Sequence, residues 1–182
     1  MFGDVLISHA YHLGSSLHST TPARMVAAAT NTVVEGELLQ LANRNNWRLA
    51  EETYFEIVRR KTGALIGVSA RLGAWASGMD EMHGRAVCDF GERMGVAFQI
   101  IDDVLDLTGS PAVMGKSLGK DLEKGKLTLP LIHRLETADP AERRRLQELL
   151  EAGDLESSAR EIGYMLLDSD STWYAHHRAE QY

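Results

Sequence analysis

The sequence predicts an all-α fold, a helical bundle, on three observations. Only four prolines, Pro22, Pro111, Pro130 and Pro140, interrupt 182 residues. Long tracts carry apolar residues at helical spacing, and no run shows the strict alternation of a half-buried strand. Start and stop signals fall where the tracts begin and end, such as Thr21-Pro22 as cap and first helical position and Gly78 as a terminator.

Taken in order, Asp4 to about Leu17 forms the first helix, and Thr21 to about Asn43 the second. Asn43 to Leu49 connects to a third, long helix from Glu51 to about Ser77, which Gly78 ends. A fourth runs from about Arg85 to Leu107, and a loop rich in glycine and lysine follows to Lys126. Shorter helices are expected at Leu127 to Glu136 and Pro140 to Glu151, and a last one begins near Leu155. No internal repeat or low-complexity segment divides the chain, so residues 1–182 are expected to form a single helical domain.

Composition bounds the function. With a net charge of −7 and a pI near 5.5, the chain lacks the basic face that tracks a phosphate backbone, which disfavours nucleic acid as the main partner. Cys88 is the single cysteine, so no internal disulfide forms and a reducing, cytoplasmic compartment is expected. There is no secretory signal pattern. The uncharged stretch from Val5 to Ala23 carries His9, His12, His18 and several hydroxyl residues, too polar for a transmembrane helix.

The most informative segment is Phe98-Gln99-Ile100-Ile101-Asp102-Asp103-Val104-Leu105-Asp106. On a helical wheel Gln99, Asp102, Asp103 and Asp106 share an arc of roughly 100°, beside a seam expected to be core that holds Val87, Met94, Phe98, Ile101 and Leu105. Carboxylates crowded together repel and raise one another's pKa, so a positive partner is expected over them. Oxygen ligands on a rigid helix suit Mg²⁺, which keeps several waters and commonly joins one or two carboxylates to substrate phosphates. The same pattern also describes a solvated acidic face.

Two polar residues sit on apolar faces. Lys61 lies in the middle of a stripe formed by Tyr54, Ile57, Val58, Leu65, Val68, Leu72 and Trp75. A lysine there needs an anion, either a carboxylate of the fourth helix or a bound phosphate, unless its stem snorkels to water. On the second helix Glu37 shares a face with Val26, Thr30, Val33, Val34 and Leu41, with Gln40 alongside. Both could hold the waters of a metal, or make a polar contact between helices.

After the carboxylate helix the sign of charge reverses. Met114 to Lys126 holds four lysines against Asp121 and Glu123, a local excess of two positive charges. Lysine is a mobile point charge suited to diphosphate, and Gly115, Gly119 and Gly125 let such a loop close on a ligand; a flexible solvated loop is the other reading. There is no Walker A pattern, so ATP is not indicated. Other features are expected to be structural. His9/His12 and His176-His177 lack zinc-ligand context, Cys88 is a small core residue, and Arg143-Arg144-Arg145 is a solvated helix face.

Taken together, Phe98-Gln99-x-x-Asp102-Asp103-x-x-Asp106, Gly115-Lys116-x-x-Gly119-Lys120-Asp121-x-x-x-Gly125-Lys126, Glu35-Gly36-Glu37-Leu38-Leu39-Gln40 and Lys61-Thr62 resemble the trans-prenyltransferases, the polyprenyl diphosphate synthase family. The resemblance runs from Gly3-Asp4 to the end of the chain and implies a bundle of the isoprenoid synthase type. It implies that Asp102, Asp103 and Asp106 bind Mg²⁺ on an allylic diphosphate and that Lys61, Lys116 and Lys126 contact that diphosphate. Thr62 and Gln99 would line the reacting centre, and Glu37 and Gln40 would support the metal's waters. The implied reaction joins isopentenyl diphosphate to an allylic cation formed as pyrophosphate departs.

One departure bears on function. Asp102-Asp103 is the only adjacent aspartate pair in the sequence, so the family's first aspartate-rich motif and the basic region for isopentenyl diphosphate are not among these residues, and the C-terminal helices are short. The expected bundle is therefore incomplete, and elongation by the lone chain is expected to be inefficient. The alternative is a non-catalytic or regulatory subunit that binds a full-length synthase. Apolar surface left uncovered should drive association into a homo-oligomer or hetero-oligomer, at least a dimer.

Overall fold

The computed structural model describes residues 2–108 and 120–182, and among them every regular element is helical. The helices are α1 (Phe2–Ser15), α2 (Thr21–Ala42), α3 (Glu51–Val58), α4 (Ala64–Ala76), α5 (Glu81–Thr108), α6 (Lys120–Glu123), α7 (Leu129–Thr137), α8 (Pro140–Glu151), α9 (Leu155–Leu167) and α10 (Ser171–Glu180). A π-helical turn, Arg59–Gly63, joins α3 to α4.

The expected boundaries hold best where the capping chemistry is explicit. Asp139 caps α8 by accepting from the Ala141 and Glu142 amides, with Pro140 at the first position. Past α4, Gly78 takes a left-handed φ of 79° that a side chain would strain. Two expectations need correction. The helix expected from Glu51 to Ser77 is broken by the π-helical turn, and the final helix is two, separated after Leu167 by Asp168, Ser169 and Asp170.

The chain divides into two compact units. The first comprises residues 1–38 and 58–95. In it the π-helical turn and α4 meet the N-terminal half of α5 through glycine. A Cβ on Gly95 would lie 2.8 Å from the Gly63 Cα, and one on Gly91 2.9 Å from the Gly67 Cα, so the two backbones touch. This explains why the Lys61 stripe does not continue. The π turn breaks the 3.6-residue register, and the buried positions beyond it are Gly63, Ala64, Gly67 and Ala74, while Leu65 and Trp75 are exposed. Large apolar side chains also stand exposed on α1 (Phe2, Val5, Leu6 and Leu13) and on α2 (Val34 and Leu38).

The second unit comprises residues 39–57 and 96–182. Its core gathers Tyr54, Ile57, Val96, Ile100, Val104, Leu129, Ile132, Leu146, Ile162 and Leu166. Helix α9 packs against α6, α7, α8 and α10, so the short α6 segment rests on a helix held on several sides. At the other edge, Tyr174 Oη donates to Glu51 Oε2 at 2.7 Å and Arg178 pairs with Glu51 Oε1 at 3.0 Å, pinning α10 to the first turn of α3. The arginines expected to be only a solvated face do more: Arg145 bridges to Glu161 of α9, and Arg143 donates to the Glu136 carbonyl at the end of α7.

The seam of α5 also needs correction. Phe98 is 63% exposed and Met94 51%, whereas Val96, Ile100, Asp103, Val104 and Leu107 are buried. Aromatic and methionine bulk suggested the wrong side, because the glycines at 91 and 95, silent in an apolar count, mark the face of closest packing.

Candidate functional site

In the second unit Asp103 has no exposed surface. A carboxylate so placed is tolerated only if its lone pairs are met. They are: Tyr54 Oη donates to Oδ2 at 2.8 Å, while Oδ1 receives Lys126 Nζ at 2.8 Å and Gln99 Nε2 at 2.9 Å. Gln99 Nε2 also lies 3.1 Å from Asp102 Oδ2 and so ties the neighbouring carboxylate to the same cluster.

Lys126 Nζ also meets Asp121 Oδ2 at 2.8 Å, and the Asp121 amide donates to Asp106 Oδ2 at 3.1 Å. The chain reaches Lys126 through a fixed turn. Asn45 donates its amide to the Gly125 carbonyl at 2.9 Å and Arg44 Nε donates to the Lys124 carbonyl at 2.8 Å. Gly125 has a φ of 72°, and a Cβ there would lie 2.0 Å from Asn45 Oδ1, so only glycine fits this conformation and contact.

The electrostatics follow from burial. Desolvation pushes the Asp103 carboxyl up, against the downward pull of Lys126 and Gln99. Desolvation also raises Asp106, opposed by the Asp121 amide. Burial alone would lower the Lys126 ammonium, but Asp103 and Asp121 outweigh it and hold the amine protonated far into alkali. The Tyr54 phenol is raised well above its ordinary value, first by burial and then by Asp103, so it remains a donor at neutral pH.

A divalent cation is tested by this donor set. Both oxygens of Asp103 already accept hydrogen bonds, three in all, which engages most of the lone pairs that the metal-ligand role expected of Asp103 would use. Asp102 is exposed, and Asp106 is partly buried one helical turn away. These two fit a hard cation that retains waters. Among the described residues no group of three His, Cys, Asp or Glu side chains gathers as a ready ligand cage.

The first unit contains Lys61, Thr62 and Glu37. Lys61 Nζ lies 2.5 Å from Glu37 Oε2, so α2 supplies an anion for the ammonium. Flanking it, Arg60 pairs with Glu35 at 2.8 Å. Both Lys61 and Thr62 sit within the π-helical turn, a distortion often found at functional positions. Gln40 is partly buried near the end of α2. Lys116 lies outside the described residues.

Sequence reasoning missed Tyr54 and Asp121. Tyr54 read as one more apolar residue of a stripe, although a buried phenol needs a partner for its O–H. Asp121 read as a charge offset within the lysine loop.

Three comparisons bear on this geometry. The family model described as polyprenyl synthetase matches residues 1–165, through both units. An octaprenyl diphosphate synthase of Haemophilus influenzae is 33% identical over 181 residues, covering 100% of this chain and 55% of that protein. Component 2 of the heptaprenyl diphosphate synthase of Bacillus subtilis is 34% identical over 145 residues, covering 80% of this chain and 41% of that protein. Among solved structures, a polyprenyl synthase from Caulobacter crescentus complexed with calcium and isoprenyl diphosphate superposes with a TM-score of 0.91 at 29% identity, over 98% of this chain and 55% of that one. The chain spans about half the length of the relatives it matches.

Proposed function

Because the chain belongs to the polyprenyl synthetase family, we propose that its cluster of carboxylates and lysine binds the diphosphate of an allylic substrate through Mg²⁺ for condensation with isopentenyl diphosphate. One observation carries this reading: the Lys126 ammonium is held 2.8 Å from both Asp103 and Asp121, next to Asp102 and Asp106 on the same face of α5. Four carboxylates against one ammonium leave an excess of negative charge, so a diphosphate is acceptable there only with a cation.

Asp102 and Asp106 would hold that cation. When bound, Mg²⁺ supplies positive charge that stabilises departing pyrophosphate. Asp103 orients rather than ligates. It fixes the Lys126 ammonium, two of whose three donors go to Asp103 and Asp121, and the third is assigned to a phosphate oxygen. As the allylic carbon–oxygen bond breaks, pyrophosphate leaves with the electron pair; the double bond of isopentenyl diphosphate attacks the cation, and a proton is lost. These residues therefore act by charge stabilisation rather than as nucleophiles.

The roles that the resemblance gives to Lys61, Thr62, Gln99, Glu37, Gln40 and Lys116 belong to the same proposal, as does the reading of residues 1–182 as part of one isoprenoid-synthase domain. A single cysteine suits a reducing, cytoplasmic compartment, and that location belongs to the same proposal. Among the described residues no helix is long and apolar enough to cross a membrane.

The test is thermal unfolding with Mg²⁺ and an allylic diphosphate. The intact chain gains stability by mass action, and Asp102→Ala loses the gain. No gain in the intact chain contradicts the reading.

A second reading, a subunit that works only with a synthase partner, is favoured by the relatives named as component 2 of heptaprenyl diphosphate synthase. Turnover measured with and without an added full-length synthase, with native mass in parallel, separates the two.

A further inference from the structure

We infer that Tyr54 is a positioning residue for diphosphate binding, acting through Asp103 on the Lys126 ammonium; this rests on the proposed role of Lys126. Three observations carry it. Tyr54 is 2% exposed, and its hydroxyl reaches a carboxylate with no exposure at all, so the bond is shielded from competing water.

The division of labour at Asp103 is asymmetric. Oδ2 takes the phenol, while Oδ1 takes the ammonium and the Gln99 amide. Fixing Oδ2 sets the plane of the carboxylate and so the direction in which Oδ1 holds Lys126. Without the phenol, Oδ2 is a buried acceptor lacking its donor, and the mobile partner that can supply one is the Lys126 ammonium. Turning both oxygens toward Lys126 would draw its amine away from Asp121 and from a phosphate.

Tyr54 is itself held from outside the cluster. It follows Glu51 by one helical turn, and Glu51 is gripped by Tyr174 and Arg178 of α10. The Arg178 guanidinium also sits 4.8 Å from the Phe55 ring centroid. The phenol is thus placed by a braced helix, which is what a positioning group requires.

Calorimetric titration of the chain with inorganic pyrophosphate in MgCl₂ tests this, using wild type, Tyr54→Phe, Asp103→Asn and the double variant. Tyr54→Phe should weaken binding roughly tenfold, the lower end of losses seen when an outer partner of a metal site is removed. The same substitution in the Asp103→Asn background should change affinity less than about twofold, because the route through Asp103 is already lost.

A general structural role would cost the same in both backgrounds and would overturn the inference. So would wild-type affinity in Tyr54→Phe. If Tyr54→Phe alone fails to fold, the comparison of Asp103→Asn with the double variant decides, since the double variant leaves no buried carboxylate lacking its phenol; a further loss there overturns the inference. Wild type that does not bind pyrophosphate at all overturns the reading of Lys126 and this inference with it. Binding that is lost in Asp102→Ala but unmoved by Tyr54→Phe overturns this inference alone.

Discussion

Lys126 Nζ lies 2.8 Å from Asp103 Oδ1 although the two residues are 23 positions apart and Asp103 is completely buried. The pair fixes the turn after α6 to the last two turns of α5. Removing the ammonium strands a buried carboxylate, so Lys126→Met should lower stability by about 3 kcal/mol. Urea unfolding checks this. Adding Asp103→Leu should recover part of the loss, because the fully buried charge is gone, while Asp121 and the buried Tyr54 hydroxyl still lack their partners. An unchanged midpoint for Lys126→Met would contradict the assignment.

The same pair sets the response to alkali. The folded-state pKa of Lys126 lies above its ordinary value of 10.5, and that of Tyr54 above 10.0. In each case the native state keeps a proton that the unfolded chain releases. Stability from these groups is therefore complete below pH 10 and falls as pH rises beyond it. Urea midpoints measured from pH 8 to 12 should be flat and then decline, and Lys126→Met should decline less steeply. A rise in stability above pH 10 would refute the direction of both shifts.

Backbone contact in the first unit predicts a size limit. A Cβ on Gly95 would meet the Gly63 Cα at 2.8 Å, and neither backbone can yield cheaply. Gly95→Ala should destabilise by about 1 to 3 kcal/mol through overpacking, despite the better helix propensity of alanine. Gly84→Ala, in the same helix with nothing within 4 Å of its Cβ position, should be neutral or stabilising. Thermal melts of the two variants compare them directly.

How much of this was legible beforehand varied with the physics involved. Pro140 and Gly78 marked their helix ends because start and stop signals are local chemistry, and the Asp139 cap came to light only in the structure. The aspartate pattern was legible because spacing alone puts the carboxylates on one face. The π-helical turn was not, since it changes the register without changing composition. Nor was the true seam of α5, where glycines make the contact and Phe98 faces outward. The bond from Tyr54 to Asp103 joins residues 49 apart, and only the tertiary fold brings them together.

Exposed bulk predicts association. Phe90, Met94 and Phe98 stand outward at successive turns of α5. Apolar rows of this kind mark surfaces that are covered in solution. Native mass should be at least that of a dimer, and Phe90→Glu with Phe98→Glu should shift the chain toward monomer. A wild-type monomer at micromolar concentration would contradict this.

The most direct measurement is a crystal structure of the chain with Mg²⁺ and an unreactive thiolo analogue of an allylic diphosphate. The account predicts a metal about 2.1 Å from a carboxylate oxygen of Asp102 or Asp106. It also predicts a phosphate oxygen within hydrogen-bond reach of Lys126 Nζ and Asp103 still held by Tyr54. A metal and diphosphate bound away from these residues, or a crystal grown at saturating ligand with neither bound, would contradict it.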